Sequence, residues 1–161
     1  MPVDDRNLES LHHARLSQPD RSLLLIDQHE CTFVFATPDG WPCGVVMNYL
    51  YRADQFLLTS VQDRPQVAAL VHDPRVSIVV SSAGTTLPNR QMLSFRGRAT
   101  VLRSQAEVQP WLDVFADAWA AERHRDLFRR QLDSANRVVI KVDQLVRSAS
   151  YDHRRVGRSD P

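Results

Sequence analysis

The chain has 161 residues, which is the length of one ordinary domain. Its apolar fraction of 43% and charged fraction of 24% are typical of a soluble globular protein. A balance of 20 basic against 19 acidic residues argues against a nucleic-acid or anionic-membrane partner. We see no signal peptide and no apolar run of membrane-spanning length, so the sequence predicts a cytoplasmic protein. The two cysteines, Cys31 and Cys43, lack metal-ligand spacing, and no metal site is predicted.

The first thirty residues are predicted to form a helical segment. Leu8, Leu11 and Leu16 give an apolar stripe, and a second helical piece begins at Pro19. Three strands follow, over residues 31–36, 43–51 and 56–60. The Pro38-Asp39-Gly40 turn joins the first two of them, so the three strands form an antiparallel meander.

Alternating or continuous apolar residues predict further strands over 76–81, 92–102 and 138–142. Helices are predicted over 65–71 and within 106–132, the latter from an apolar stripe that includes Val108, Leu112 and Phe115. The fold class is therefore mainly β with flanking helices, a six-stranded antiparallel barrel. We expect one domain over 1–161, with 151–161 as a carboxyl-terminal tail that matters little to the fold.

The segment 59–75 is the most informative part of the chain. A strand ends in two hydroxyl residues, a polar loop carries an arginine, and a helix then starts at Pro65, where a proline is well tolerated. Such a helix N-terminus can receive a phosphate group. An ordinary strand–turn–helix connection is the alternative.

Neighbouring stretches make this pattern more specific. These stretches are residues 33–47, Asp73-Pro74-Arg75-Val76 with the strand that follows, and 93–101. In this order, they resemble the pyridoxamine 5′-phosphate oxidase-like family of flavin-binding split barrels. Residues 137–142 and 150–155 resemble the closing strand and tail of actinobacterial members. The resemblance implies a split barrel, a homodimer, and two equivalent cofactor sites between the subunits.

By this resemblance, the second strand forms the wall of a slot for the flavin ring, the segment after the third strand binds the phosphate, and the tail lies near the ring or the substrate. The implied cofactor residues are Val45, Val46, Met47, Asn48, Thr59, Ser60, Arg64, Gln66 and Tyr151. The implied substrate residues are His153 and Arg154. For each of these, core packing or a solvated tail is the competing interpretation. No catalytic base is identified.

One departure from the family pattern bears on the cofactor. Many relatives have a lysine where this chain has Gln66, and an asparagine where it has Ala69. The cofactor is therefore expected to be FMN or the deazaflavin coenzyme F-420, in an oxidoreductase acting on a small molecule. The alternatives are a non-catalytic flavin-binding protein and a ligand-binding barrel without a cofactor.

Overall fold

A computed structural model describes residues 13–156. The predicted Leu8 and Leu11 stripe, and the end of the predicted tail after residue 156, lie outside this range. The helices are α1 (Gln18–Asp27), α2 (Pro65–His72), α3 (Gln105–Trp119) and α4 (Arg125–Leu132). The strands are β1 (Glu30–Ala36), β2 (Pro42–Arg52), β3 (Gln55–Val61), β4 (Arg75–Ser81), β5 (Gln91–Leu102) and β6 (Arg137–Asp152).

The six strands form one closed antiparallel barrel in the order β1-β2-β3-β6-β5-β4. Each neighbouring pair is antiparallel, including the pairing of β1 with β4 that closes the sheet. The predicted fold class is confirmed. The closure is partial between β2 and β3, because residues 42–48 of β2 pair with β1 but not with β3.

The interior of the barrel is filled by the inward side chains of all six strands. Phe56 lies at the centre, with its ring centroid 5.2 Å from that of Tyr49 and 5.5 Å from that of Phe95. Phe33 and Ile140 are also fully buried there. Burying a side chain of this size contributes roughly 1.5–3 kcal/mol to folding.

A second apolar core lies outside the barrel, where α3 and α4 cover β3 and β6. Leu57 and Val139 point outward from their strands and pack against Leu112 and Phe115 of α3. A capping box between Ser104 and Glu107 fixes the start of α3. At the other end, the chain turns extended at Ala120, so the predicted region 106–132 is two helices joined by a short 3-10 turn, Glu122–His124.

Strand β6 is the largest departure from the predicted elements. It runs 16 residues to Asp152, ten beyond the predicted end at Val142, and pairs with β5 along most of its length. Tyr151 and Asp152 therefore belong to the barrel and not to a loose tail. No helix within 13–156 combines the length and the apolar character needed to cross a bilayer.

Candidate functional site

Strands β2 and β3 diverge from each other after a short paired region. They pair only where residues Tyr49 to Arg52 meet Leu58 to Gln55. Before Tyr49, β2 pairs with β1, and after Leu58, β3 pairs with β6. We call the diverging residues 45–48 and 59–61, together with the first turn of α2, the fork. It contains most of the cofactor residues that the sequence implies.

Side chains of the β2 arm alternate between two environments. Val45 and Met47 pack against the interior core. Val46 is 69% exposed, and Asn48 is also exposed, so these two residues lie on the outer face of the barrel. A ring bound on that face would contact Val46 and Asn48 directly, and would meet Val45 and Met47 only through their backbone groups.

The β3 arm carries two hydroxyls with different partners. Thr59 Oγ1 donates to the carbonyl oxygen of Val138, at 3.2 Å. Ser60 is buried, and its Oγ accepts from Gln66 Nε2 at 3.4 Å. Gln66 is only 9% exposed, so its amide faces the buried side of α2. The position that holds lysine in many relatives is therefore an inward-facing one in this chain.

Arg64 is the N-cap residue of α2 and is exposed. Its carbonyl oxygen accepts from the backbone amides of Val67 and Ala68, and its side chain makes no capping hydrogen bond. The guanidinium thus extends from the positive end of a helix dipole. Arg64 is the residue of the phosphate-binding segment best placed to meet a solvent-borne anion.

The three tail residues of the predicted site are already engaged with other side chains. Tyr151 Oη lies 2.9 Å from His153 Nδ1. Arg154 Nη2 lies 2.8 Å from Asp152 Oδ2 and 3.0 Å from Asp20 Oδ2. The hydrogen bond to Asp152, together with that to Asp20, raises the pKa of Arg154. Its charge is therefore balanced within the chain before any substrate arrives.

The fork and the tail lie at opposite ends of β6. Thr59 pairs with Val139, whereas Tyr151 pairs with Met92 of β5. Within residues 13–156, no hydrogen bond or salt bridge joins Tyr151, His153 or Arg154 to Asn48, Thr59 or Arg64. The tail residues are therefore bonded to one another, to Asp152 and to Asp20, and not to the fork.

The sequence analysis missed two residues that hold these segments in place, one at the tail and one at the fork. Asp152 is fully buried, and its backbone amide donates to the carbonyl oxygen of Ala14, at 2.8 Å. Trp119 Nε1 donates to the carbonyl oxygen of Tyr49, the last paired residue before the fork, at 3.3 Å. An acidic residue within a basic run was a usable signal for Asp152, but no local pattern links Trp119 to β2.

Cys31 is not an activated nucleophile. Burial, with a smaller effect of Glu30, raises the pKa of Cys31 to about 12. A thiol with such a pKa is protonated at neutral pH and unreactive. Covalent catalysis by Cys31 is therefore disfavoured.

Comparison with known proteins agrees with this fold. The family model for pyridoxamine 5′-phosphate oxidase matches residues 23–145. The chain belongs to this family of split barrels. No curated protein matches it significantly.

Several solved structures share the fold at low sequence identity. The conserved hypothetical protein Rv2991 from Mycobacterium tuberculosis aligns with a TM-score of 0.71 and 18% identity, covering 93% of each chain. The heme storage protein HutZ from Vibrio cholerae gives 0.63 and 15%, covering 84% of this chain and 96% of its own. An F420 reductase gives 0.57 and 18%, covering 80% and 94% respectively. Identities this low support the shared fold alone.

Proposed function

We propose that the protein binds FMN or the deazaflavin F-420 at the fork and acts as an oxidoreductase on a small molecule. Membership of the family and the likeness to an F420 reductase support a flavin-type cofactor. The observation that carries the proposal is the fork itself: Val46 and Asn48 are exposed on its β2 arm, and an exposed arginine at the N-terminus of α2 follows its β3 arm. Oxidoreductase activity, the choice of cofactor and the cytoplasmic location stay predictions.

The residues at the fork fit a group that is flat and apolar at one end and anionic at the other. Val46 offers exposed apolar surface, and Asn48 offers an amide for a polar ring edge. The Arg64 guanidinium is a planar group of N–H donors suited to phosphate, and the dipole of α2 adds to its attraction for an anion. When bound, the flavin would supply hydride transfer, and the protein would supply position and electrostatics.

The buried Gln66 sets a limit on how tightly phosphate is held. The Gln66 amide donates to Ser60 and so faces inward. It therefore does not take the place of the phosphate-binding lysine that many relatives have at this position. This supports a second candidate function, namely a ligand-binding barrel that has lost its cofactor. A flavin-binding protein without catalysis is a further alternative. Failure to bind either flavin would favour the second candidate, and binding with no turnover of any tested substrate would favour the further alternative.

The contribution of Arg64 tests where the phosphate lies. We expect Arg64→Gln to weaken FMN binding about fivefold, because a charge-assisted hydrogen bond worth roughly 1.5–3 kcal/mol is lost and exposure to solvent removes part of it. Riboflavin, which lacks the phosphate, should be affected much less. Fluorescence titration of both ligands measures this, with Arg52→Gln, an exposed arginine of β2, as the matched control. Equal weakening of both ligands would show that Arg64 does not face the phosphate.

We also propose that the protein pairs as a homodimer. Two observations support pairing. Val46 is an apolar side chain left 69% exposed on the outer face. In addition, residues 42–48 of β2 pair with β1 but not with β3, so one edge of this stretch is unpaired within the described residues.

Light scattering tests the dimer directly. At micromolar protein we expect one species of about twice 18.4 kDa. Val46→Glu should shift it toward the monomer, because a charge would be buried at the interface. Leu127→Glu, at an exposed position on α4, is the control and should not. A single 18.4 kDa species of the unaltered protein would contradict the proposal.

A further inference from the structure

A groove of about 570 Å³ lies on the outer face of the barrel, away from the fork. It is bounded by the β1–β2 turn, the start of β4, the middle of β5 and residues 144–146 of β6. Val34, Ala36 and Pro42 form one apolar wall, and Val146 lies in the other. None of the fork residues lines it. This surface, which we call the arginine groove, takes no part in the site proposed above.

Three arginines line the groove because of the register between β4 and β5. Arg75 pairs directly with Arg98, and Ser77 pairs with Arg96. Like charges placed opposite each other on neighbouring strands destabilise a sheet. Among the described residues, Arg75 is the one of the three with a direct salt bridge: its Nε lies 2.9 Å from Asp73 Oδ1, and its Nη2 lies 2.7 Å from Asp73 Oδ2. Arg98 acts on Asp73 only through its charge, which helps to lower the pKa of that carboxyl. Within residues 13–156, no carboxylate lies within 4.0 Å of Arg96 or Arg98.

The backbone between these two arginines is held in place by a bulge. Arg96 pairs with Val146 and Arg98 with Asp143, so Gln144 and Leu145 together face the single residue Gly97. Gln144 has a φ of 53° and lines the groove. A Cβ on Gly97 would lie 2.9 Å from the carbonyl oxygen of Asp143, so the close approach requires glycine. The bulge thus places Gln144 in the same groove as Arg96 and Arg98.

Asp73 shows how an arginine of this groove binds an acid. Its two oxygens accept from one guanidinium, and this hydrogen bonding holds the pKa of Asp73 at about 2. Arg96 and Arg98 are two residues apart on the same strand, so their Cα atoms are separated by roughly 7 Å. Both residues are exposed and line one groove, so their guanidinium groups can each take one carboxylate of a short diacid.

We propose that the arginine groove binds a small aliphatic dicarboxylate. Arg96 and Arg98 each hold one carboxylate, and the methylene chain lies against Val34, Pro42 and Val146. Gln144 donates to a remaining carboxylate oxygen. Binding reduces the repulsion among the three arginines.

The test is calorimetric titration of the full chain with succinate, glutarate and adipate. We expect saturable binding that is weakened at least tenfold by the double substitution Arg96→Gln with Arg98→Gln. Arg52→Gln is the matched control, since it removes an exposed arginine outside the groove. The double variant should melt at the same temperature as the unaltered protein or higher, because it removes like charges. Butyrate, with one carboxylate, should bind at least tenfold more weakly than glutarate.

Four results would overturn the proposal. One is equal affinity of the unaltered and doubly substituted proteins for all three diacids, and another is the absence of binding to any of them. Inorganic phosphate binding more tightly than every diacid would indicate a different anion. Conversion of a dimer to a monomer by the double substitution, with diacid binding unchanged, would show that the groove is an interface between copies.

Discussion

Replacing Asp152 with alanine should lower the free energy of unfolding by about 3 kcal/mol, because it removes the buried carboxylate partner of Arg154 and the hydrogen bonds between them. Asp152 is fully buried and accepts from both the backbone amide and the guanidinium of Arg154. Asp20 remains as a second partner of Arg154, which keeps the loss at the lower end of the range for buried pairs. For a chain of this size, the melting temperature should fall by about 6–12 °C.

Thermal unfolding followed by circular dichroism measures this effect. Asp143→Ala is the control, because its bridge to Lys141 is on the same strand but partly exposed. Such a pair is worth about 0–1 kcal/mol. If both variants melt within a degree of each other, the carboxyl end of β6 is not anchored as the structure indicates.

The stabilisation by Asp152 should depend on pH in a defined direction. Burial of the carboxyl group opposes ionisation, but the hydrogen bonds and charge of Arg154 outweigh it, and the net pKa of Asp152 is lowered. A lowered pKa means that the stabilisation is present above the unfolded value of about 3.9 and is lost as pH falls through the folded value. The stability gap between the unaltered protein and Asp152→Asn should therefore hold from pH 7 to 5 and narrow below pH 4. A gap that is unchanged at pH 2 would contradict the assignment.

Gly97→Ala should lower the free energy of unfolding by about 2 kcal/mol, because overpacking at a tight contact costs about 1–3 kcal/mol. An added Cβ would lie 2.7 Å from Val142 Cγ1 and 2.9 Å from both the Asp143 carbonyl oxygen and Leu145 Cδ2. Part of this obstruction is backbone, which cannot rotate away.

Urea denaturation of Gly97→Ala and Gly44→Ala provides a matched comparison. At Gly44 the nearest atom to an added Cβ is Thr32 Cγ2, at 3.3 Å, so the neighbour needs to shift by only a few tenths of an ångström. We expect the loss at Gly44 to be under about 1 kcal/mol, since alanine also reduces the entropy of the unfolded chain. Equal losses at the two glycines would show that the bulge in β6 is not packed against Gly97.

The barrel could be predicted from the sequence because most of its strands carry a clear apolar pattern. The second half of β6 does not, since Arg147, Ser148 and Ser150 interrupt any alternation. Its place in the sheet comes from pairing with β5, which is a long-range contact. Residues 151 and 152 were assigned to a tail for this reason, although Asp152 is among the most buried polar residues of the described chain.

The candidate site was predicted at the level of segments but not of side chains. The order strand, arginine loop, helix correctly predicted that Arg64 precedes α2. The sequence could not show that the Gln66 side chain points toward Ser60, because this direction depends on how α2 packs against the barrel. Likewise, Val45 to Asn48 were taken together, whereas the pleat of β2 sends alternate side chains inward and outward. The roles of these residues in cofactor binding stay predictions.

The most direct test of flavin binding at the fork is a visible absorbance titration of the purified protein, made separately with FMN and with F-420. The account predicts a saturable shift of the ring absorbance for one of the two, approaching one cofactor per chain. Arg64→Gln should move the midpoint to higher cofactor concentration without abolishing the shift. The absence of any spectral change with either cofactor, in a protein that melts cooperatively, would contradict the account and leave a barrel that binds no flavin.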